Sequence, residues 1–205
     1  ALHSFPPHHS SHLPDISYVD AVTPGPCPQE YTVARTWTAI DDCGNFSTCV
    51  QTITVTDDTP PVITCPADLT IECPADTSTT FTGVATAVDD CDPIPDISYS
   101  DAVTPGPCPQ EYTVARTWTA IDDCGNFSTC VQTITVTDDT PPVITCPADL
   151  TIECPADTST AFTGVATAVD DCDPSPNSSS VDAAPPGPWP QEYSVARTWT
   201  AIDDC

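Results

Sequence analysis

The chain is a succession of short stretches in which apolar and polar positions alternate. Glu111–Asp122 reads Glu-Tyr-Thr-Val-Ala-Arg-Thr-Trp-Thr-Ala-Ile-Asp, and Phe127–Thr137 alternates in the same way. A period of two sends successive side chains to opposite faces of a strand, and Val, Ile, Thr, Tyr and Trp suit a pleated, half-buried surface. Shorter strands are expected at Val62–Cys65, Leu69–Cys73, Phe81–Val88 and Ile97–Asp101, with breaks at Pro66 and along Asp92-Pro93-Ile94-Pro95. Asp123-Cys124-Gly125-Asn126 is expected to close a hairpin between the two longest strands. There is no helical period.

The pattern recurs. Ile16–Pro93 returns as Ile97–Pro174, 81 residues later, with only Val19/Ser100 and Thr80/Ala161 changed. Asp-Asp-Thr-Pro-Pro at 57–61 and 138–142 marks the unit boundaries, because paired prolines cannot continue a ladder. The expected division is an irregular arm over 1–15, the later strands of one unit over 16–58, a complete unit over 59–139, and a unit lacking its last strand over 140–205. The arm is rich in proline and holds His3, His8, His9 and His12, which read as a solvated tail. Six or seven short antiparallel strands in about eighty residues predict an all-β chain of tandem immunoglobulin-like β-sandwich repeats.

Charge narrows the function classes. The net charge is −27, from 30 acidic residues against three arginines and no lysine. Such a chain neither neutralises phosphates nor adheres to anionic membranes, so nucleic-acid binding and membrane insertion are not expected. No apolar run reaches the length of a membrane span.

The acidic residues are also patterned. Seven Asp-Asp pairs occur, and in each unit they sit at three places. Asp57-Asp58 lie in the linker entering the complete unit. Asp89-Asp90, with Asp92, follow the Phe81–Val88 segment, and Asp122-Asp123 precede Asn126 in the hairpin turn. In a sandwich of this type the three places share one pole. The same set returns as Asp138-Asp139, Asp170-Asp171 with Asp173, and Asp203-Asp204. Convergent carboxylates repel one another unless a hard cation is bound, and calcium accepts six to eight oxygens in flexible geometry. Calcium is therefore the expected cofactor, holding successive units stiffly together. The bland reading is that Asp-Asp pairs are turn formers.

Thirteen cysteines without the spacing of a zinc knuckle point to disulfides and an extracellular or cell-surface setting. Six lie in the complete unit, and the expected pairs are Cys65–Cys130, Cys73–Cys108 and Cys91–Cys124. Arg116 and Trp118 share a strand face, as do Arg35/Trp37 and Arg197/Trp199, which predicts a structural cation–π pair with the arginine also bound to a carboxylate. Asn45, Asn126 and Asn177 begin N-glycosylation sequons, so attached glycans are a candidate modification.

Thr64-Cys65-Pro66, Val88-Asp89-Asp90-Cys91, the run Trp118–Asn126 and Cys130 before Ile134-Thr135-Val136 together resemble the hyalin repeat. That family consists of immunoglobulin-like extracellular modules in tandem, and the resemblance implies adhesion or matrix roles. Cys73, Cys108 and Cys124 are additions to its pattern.

No catalytic activity is expected. The units are near-identical and contain no histidine, and their paired carboxylates recur at linkers, not in one cleft. The function expected is a structural subunit of an extracellular filament. The alternative is the stalk of a cell-surface adhesin that presents a ligand-binding tip. Residues 140–173 of one chain and 16–58 of the next would together supply a complete unit, which predicts head-to-tail partners among copies of the chain.

Overall fold

Alternation becomes burial where a second layer is present. In the computed structural model, which describes residues 13–153, 155, 157–189 and 192–205, strand β8 (Tyr112–Ile121) buries Val114, Arg116, Trp118 and Ala120 and exposes or half-exposes the residues between. Strand β9 (Phe127–Thr137) buries Gln132, Ile134 and Val136 in the same way. The four histidines and Cys154 lie outside the described residues.

The chain is all-β, with several small sheets and, among the described residues, four disulfides. The first sheet comprises β1 (Asp15–Pro24), β2 (Tyr31–Ile40) and β3 (Phe46–Val55), antiparallel in that order. Short strands β4 (Val62–Thr64) and β6 (Thr86–Val88) pair with each other. A four-stranded sheet has the order β5 (Leu69–Glu72), β9, β8, β7 (Asp96–Pro105), with β5 parallel to β9. Then β10 (Val143–Thr145) pairs with β11 (Thr167–Val169), and β12 (Asn177–Ala183) with β13 (Ala196–Ile202). The register repeats with the sequence: Asp20 faces Arg35 across β1–β2, and Asp182 faces Arg197 across β12–β13.

The contacts that bury β8 and β9 are specific. Gln132 Nε2 donates to the carbonyls of Ala67 and Thr82, at 3.0 and 2.8 Å. Arg116 donates to Thr82 Oγ1, the Thr77 carbonyl and both carboxylate oxygens of Asp101. Ala67 and Thr77–Thr82, on either side of β5, are therefore pinned over β8 and β9 by two polar side chains that are themselves buried. The same sequence in β2 and β3 has no such cover among the described residues. Trp37 is half-buried where Trp118 is 2 % exposed, and Gln51 turns back to accept from Trp37 Nε1 at 3.2 Å.

Two expectations about elements are corrected. Phe81–Val88 is not one strand: Thr79–Thr82 form a single helical turn, α1, and only Thr86–Val88 are extended. Gly83 between them has φ +92°, and a Cβ there would meet Pro66 Cβ at 3.2 Å, so the chain turns where a strand would continue. The turn carries Thr82 to Arg116. A second turn, α2 (Thr160–Thr163), repeats the arrangement, and there Arg197 donates to Thr163 Oγ1. The other correction is that the strand expected at Ile97–Asp101 extends over Asp96–Pro105.

The chain divides into two compact units that do not follow the sequence repeats. One takes in the described residues up to Ile63 with Thr86–Ser98 and Thr119–Thr129. The other takes in Thr64–Ala85, Tyr99–Trp118 and Cys130–Cys205. No helix among the described residues is long and apolar enough to cross a membrane.

Candidate functional site

Within the first unit the three acidic segments meet. The hairpin turn Asp122–Asn126 is closed by Asp122 N to the Asn126 carbonyl and by Gly125 N to the Asp122 carbonyl. From this turn Asn126 Nδ2 reaches the main-chain carbonyl of Asp57 at 2.8 Å. The Asp123 amide donates to Asp92 Oδ2 at 3.1 Å. A carboxylate oxygen of Asp57, one of Asp89 and the Sγ of Cys91 lie within 4.8 Å of one another. Linker, loop and turn thus form one cluster.

In six of the seven pairs the first aspartate points in and the second points out; Asp41 and Asp42 are both exposed. Asp57 and Asp122 are buried and Asp89 half-buried, whereas Asp58, Asp90 and Asp123 are exposed; Asp92 is buried as well. The second unit repeats this, with Asp138 and Asp173 buried, Asp170 and Asp203 half-buried, and Asp139, Asp171 and Asp204 exposed. The fourteen acidic residues singled out in the sequence therefore resolve into two inner sets of four.

Every inner carboxylate except Asp138 gives at least one oxygen to main-chain amides of its own loop. Asp89 Oδ1 accepts from the amides of Cys91 and Asp92, both at 2.9 Å, and Asp170 Oδ1 accepts from Cys172 and Asp173. The remaining oxygens include several with no partner at all. Asp57 Oδ2, both oxygens of Asp138, Asp170 Oδ2 and Asp173 Oδ2 are buried without a hydrogen bond. Burial, the Asp170 and Asp203 charges and the nearby Glu72 hold the Asp138 carboxyl above its ordinary range. At Asp122 burial acts in the same direction, but hydrogen bonds from Asn126, Cys124 and Gly125 outweigh it and hold the carboxyl below its usual range.

The disulfides differ from two of the three expected pairs. Cys65 is bonded to Cys130, with Cα atoms 5.9 Å apart. Cys73 is bonded to Cys172 and not to Cys108, and Cys124 is bonded to Cys27 and not to Cys91. Cys108 takes Cys205. The reason is local. The amide of Cys73 donates to the Thr137 carbonyl at 3.0 Å, which directs the end of β5 at the linker after β9, and the Cys172 loop meets it there. Cys108 lies in a turn closed by Gly106 N to the Glu111 carbonyl, and Cys27 lies in the equivalent turn closed by Gly25 N to that of Glu30. The turn at Cys27 meets Cys124 in the hairpin after β8, and the turn at Cys108 meets Cys205 just after β13, so both bonds span 97 residues. Cys91 is left as a free thiol on an exposed residue, its pKa raised by partial desolvation of the sulfur and then by the Asp57 and Asp89 charges. Cys43, Cys49 and Cys146 are also free.

The arginines are structural. Arg35, Arg116 and Arg197 bind Asp20, Asp101 and Asp182 respectively, at 2.6–2.8 Å. The ring expected beneath Arg116 was Trp118, but its guanidinium sits over Tyr99, 4.6 Å from the centroid. Tyr99 in turn meets Trp118 at 5.0 Å between centroids. Arg35 lies over Tyr18 and near Trp37, and Arg197 near Trp199.

Of the sequon residues, Asn126 uses its amide on Asp57 and Asp122, and Asn45 uses its own on Asp41. Asn177 is exposed at the start of β12. Comparison of the chain with protein-family models, with curated proteins and with solved structures finds no match.

Proposed function

We propose that this chain is a structural subunit of an extracellular filament built from hyalin-repeat-like, immunoglobulin-like units joined end to end, stapled by disulfides and stiffened by calcium. No catalytic role is proposed. One observation carries this reading. Cys27–Cys124 and Cys108–Cys205 are the same bond displaced by one 81-residue period, and each ties a turn of one sequence repeat to the segment after a long strand of the next. Cys73–Cys172 adds a second tie between the complete repeat and its successor. A soluble domain closes its disulfides on itself, whereas bonds in constant register from repeat to repeat suit a load-bearing array.

The free cysteines support association between copies. Cys49 and Cys146 stand one period from Cys130 and Cys65, which are bonded to each other. A Cys146–Cys49 bond between two copies would reproduce that pair. The purified chain, incubated with oxidised glutathione to accept the two electrons and two protons of each new bond, is expected to form filaments in negative stain. It should also form a covalent ladder in non-reducing gels, with Cys49 linked to Cys146. Dispersed single copies retaining both thiols would contradict the filament and leave the adhesin stalk as the better reading.

A further inference from the structure

The inner aspartates form two clusters of like charge that the protein itself does not neutralise. The chain has three arginines and no lysine, and all three arginines are engaged elsewhere by Asp20, Asp101 and Asp182. Asp57 is 4 % exposed, Asp138 8 % and Asp173 1 %, and each has at least one carboxylate oxygen without a hydrogen-bond partner. A buried carboxylate that is neither paired nor fully hydrogen-bonded is a costly arrangement, and here it occurs in both copies of one constellation.

We propose that Asp57, Asp89, Asp92 and Asp122 form one calcium site, and Asp138, Asp170, Asp173 and Asp203 a second, each taking one ion. The ion's function as a stiffener of a filament rests on the reading above, but the sites themselves do not. Four carboxylates, with a main-chain carbonyl or water completing the shell, suit the six to eight oxygens calcium takes. Magnesium keeps several of its waters and is held by one or two carboxylates, so a cluster of four selects against it. The oxygens also divide between two tasks. Asp89 Oδ1 and Asp170 Oδ1 hold their loops in shape, which leaves the second oxygen of each for the ion. The outward-pointing Asp58, Asp90, Asp123, Asp139, Asp171 and Asp204 take no part.

The two sites are not equivalent. Asp138 adjoins the Cys73–Cys172 disulfide, and Asp57 adjoins the free thiol of Cys91, the counterpart of Cys172. In the second site Glu72 anchors the linker as well, accepting from the Asp139 amide and the Thr140 hydroxyl, both at 2.8 Å. The Asp138 site is thus preorganised by a covalent bond and is the tighter of the two.

Calcium titration of the monomeric full chain by calorimetry tests this without any filament being formed. Two ions per chain are expected, falling to one in Asp57→Asn/Asp89→Asn and to one in Asp138→Asn/Asp173→Asn. Asp58→Asn/Asp90→Asn should keep both. Folding is read separately: in chelator the inner Asn variants should melt at a higher temperature than the parent chain, because repulsion is relieved, while losing their calcium-induced rise. An inner variant that melts lower in chelator, or that still binds two ions, contradicts the assignment. So does equal binding of magnesium, or binding of zinc alone that Cys91→Ser abolishes. Two bound ions with no filaments would leave the sites intact and overturn only the filament.

Discussion

Asn126, in the hairpin turn between β8 and β9, donates through Nδ2 to the main-chain carbonyl of Asp57, 69 residues earlier and 2.8 Å away. The same amide donates to Asp122 Oδ2 at 2.9 Å. A single side chain therefore joins the linker to the turn and fixes where the two acidic segments face each other.

Asn126→Ala should cost about 1–3 kcal/mol, the range for leaving a buried acceptor unpaired. Asn45→Ala, whose amide reaches only the exposed Asp41, should stay within about 0.5 kcal/mol. Urea unfolding of the two variants distinguishes them. The same geometry predicts where sugar attaches. In a glycosylating host, glycopeptide mass spectrometry should find a glycan at exposed Asn177 and none at Asn126.

The three arginine–aspartate pairs share a sequence but not an environment. Arg116 is buried, with its side chain 3 % exposed, while Arg35 is 27 % exposed. Removing Asp101 leaves a buried guanidinium short of its carboxylate, so Asp101→Ala should cost about 3 kcal/mol. Asp20→Ala breaks an exposed, solvent-screened pair and should cost far less. Equal losses in denaturant melts would mean that both arginines sit in equivalent surroundings.

Acidity should act on the two kinds of aspartate in opposite senses. Hydrogen bonding to Arg116 and its charge outweigh burial and hold Asp101 below its ordinary range. Its stabilising contribution is present above the unfolded-state value and is lost as pH falls through the lowered one. Asp138 is held above its ordinary range, so in chelator the folded chain binds more protons than the unfolded one across the window between the two values. Through that window stability falls as pH rises. Saturating calcium should abolish this second dependence while leaving the first. Melting temperatures across the acidic range, with and without chelator, separate the two.

Much of this architecture was legible in the alternation and the period. β8 and β9 fall within a residue of their expected bounds, because their inward and outward residues differ clearly. Phe81–Val88 misled because Phe-Thr-Gly-Val alternates like a strand, while Gly83 adopts a positive φ that only the tertiary fold reveals. The convergence of Asp57, Asp89, Asp92 and Asp122 followed from their places at linker, loop and turn. Which aspartate of each pair points inward did not, since both have the same residue type and differ by one position on the backbone.

The cysteine partners were illegible for a related reason. In a chain of identical repeats, a bond within a unit and a bond to the next unit use the same residue types at the same repeat positions. Only the end of β5 at Thr137 and the turns at Gly25 and Gly106 decide between them. The difference matters energetically. Loops of 97–99 residues remove more freedom from the unfolded chain than shorter ones, about 4–5 kcal/mol per bond by loop entropy.

Non-reducing peptide mapping of the purified chain tests the central claim most directly. Cys27–Cys124, Cys73–Cys172 and Cys108–Cys205 should appear as linked peptides joining successive repeats, with Cys65–Cys130 the bond inside the complete one and Cys91 alkylated as a free thiol. A map in which Cys91 is linked to Cys124 and Cys73 to Cys108 would close every bond within one repeat and contradict the account.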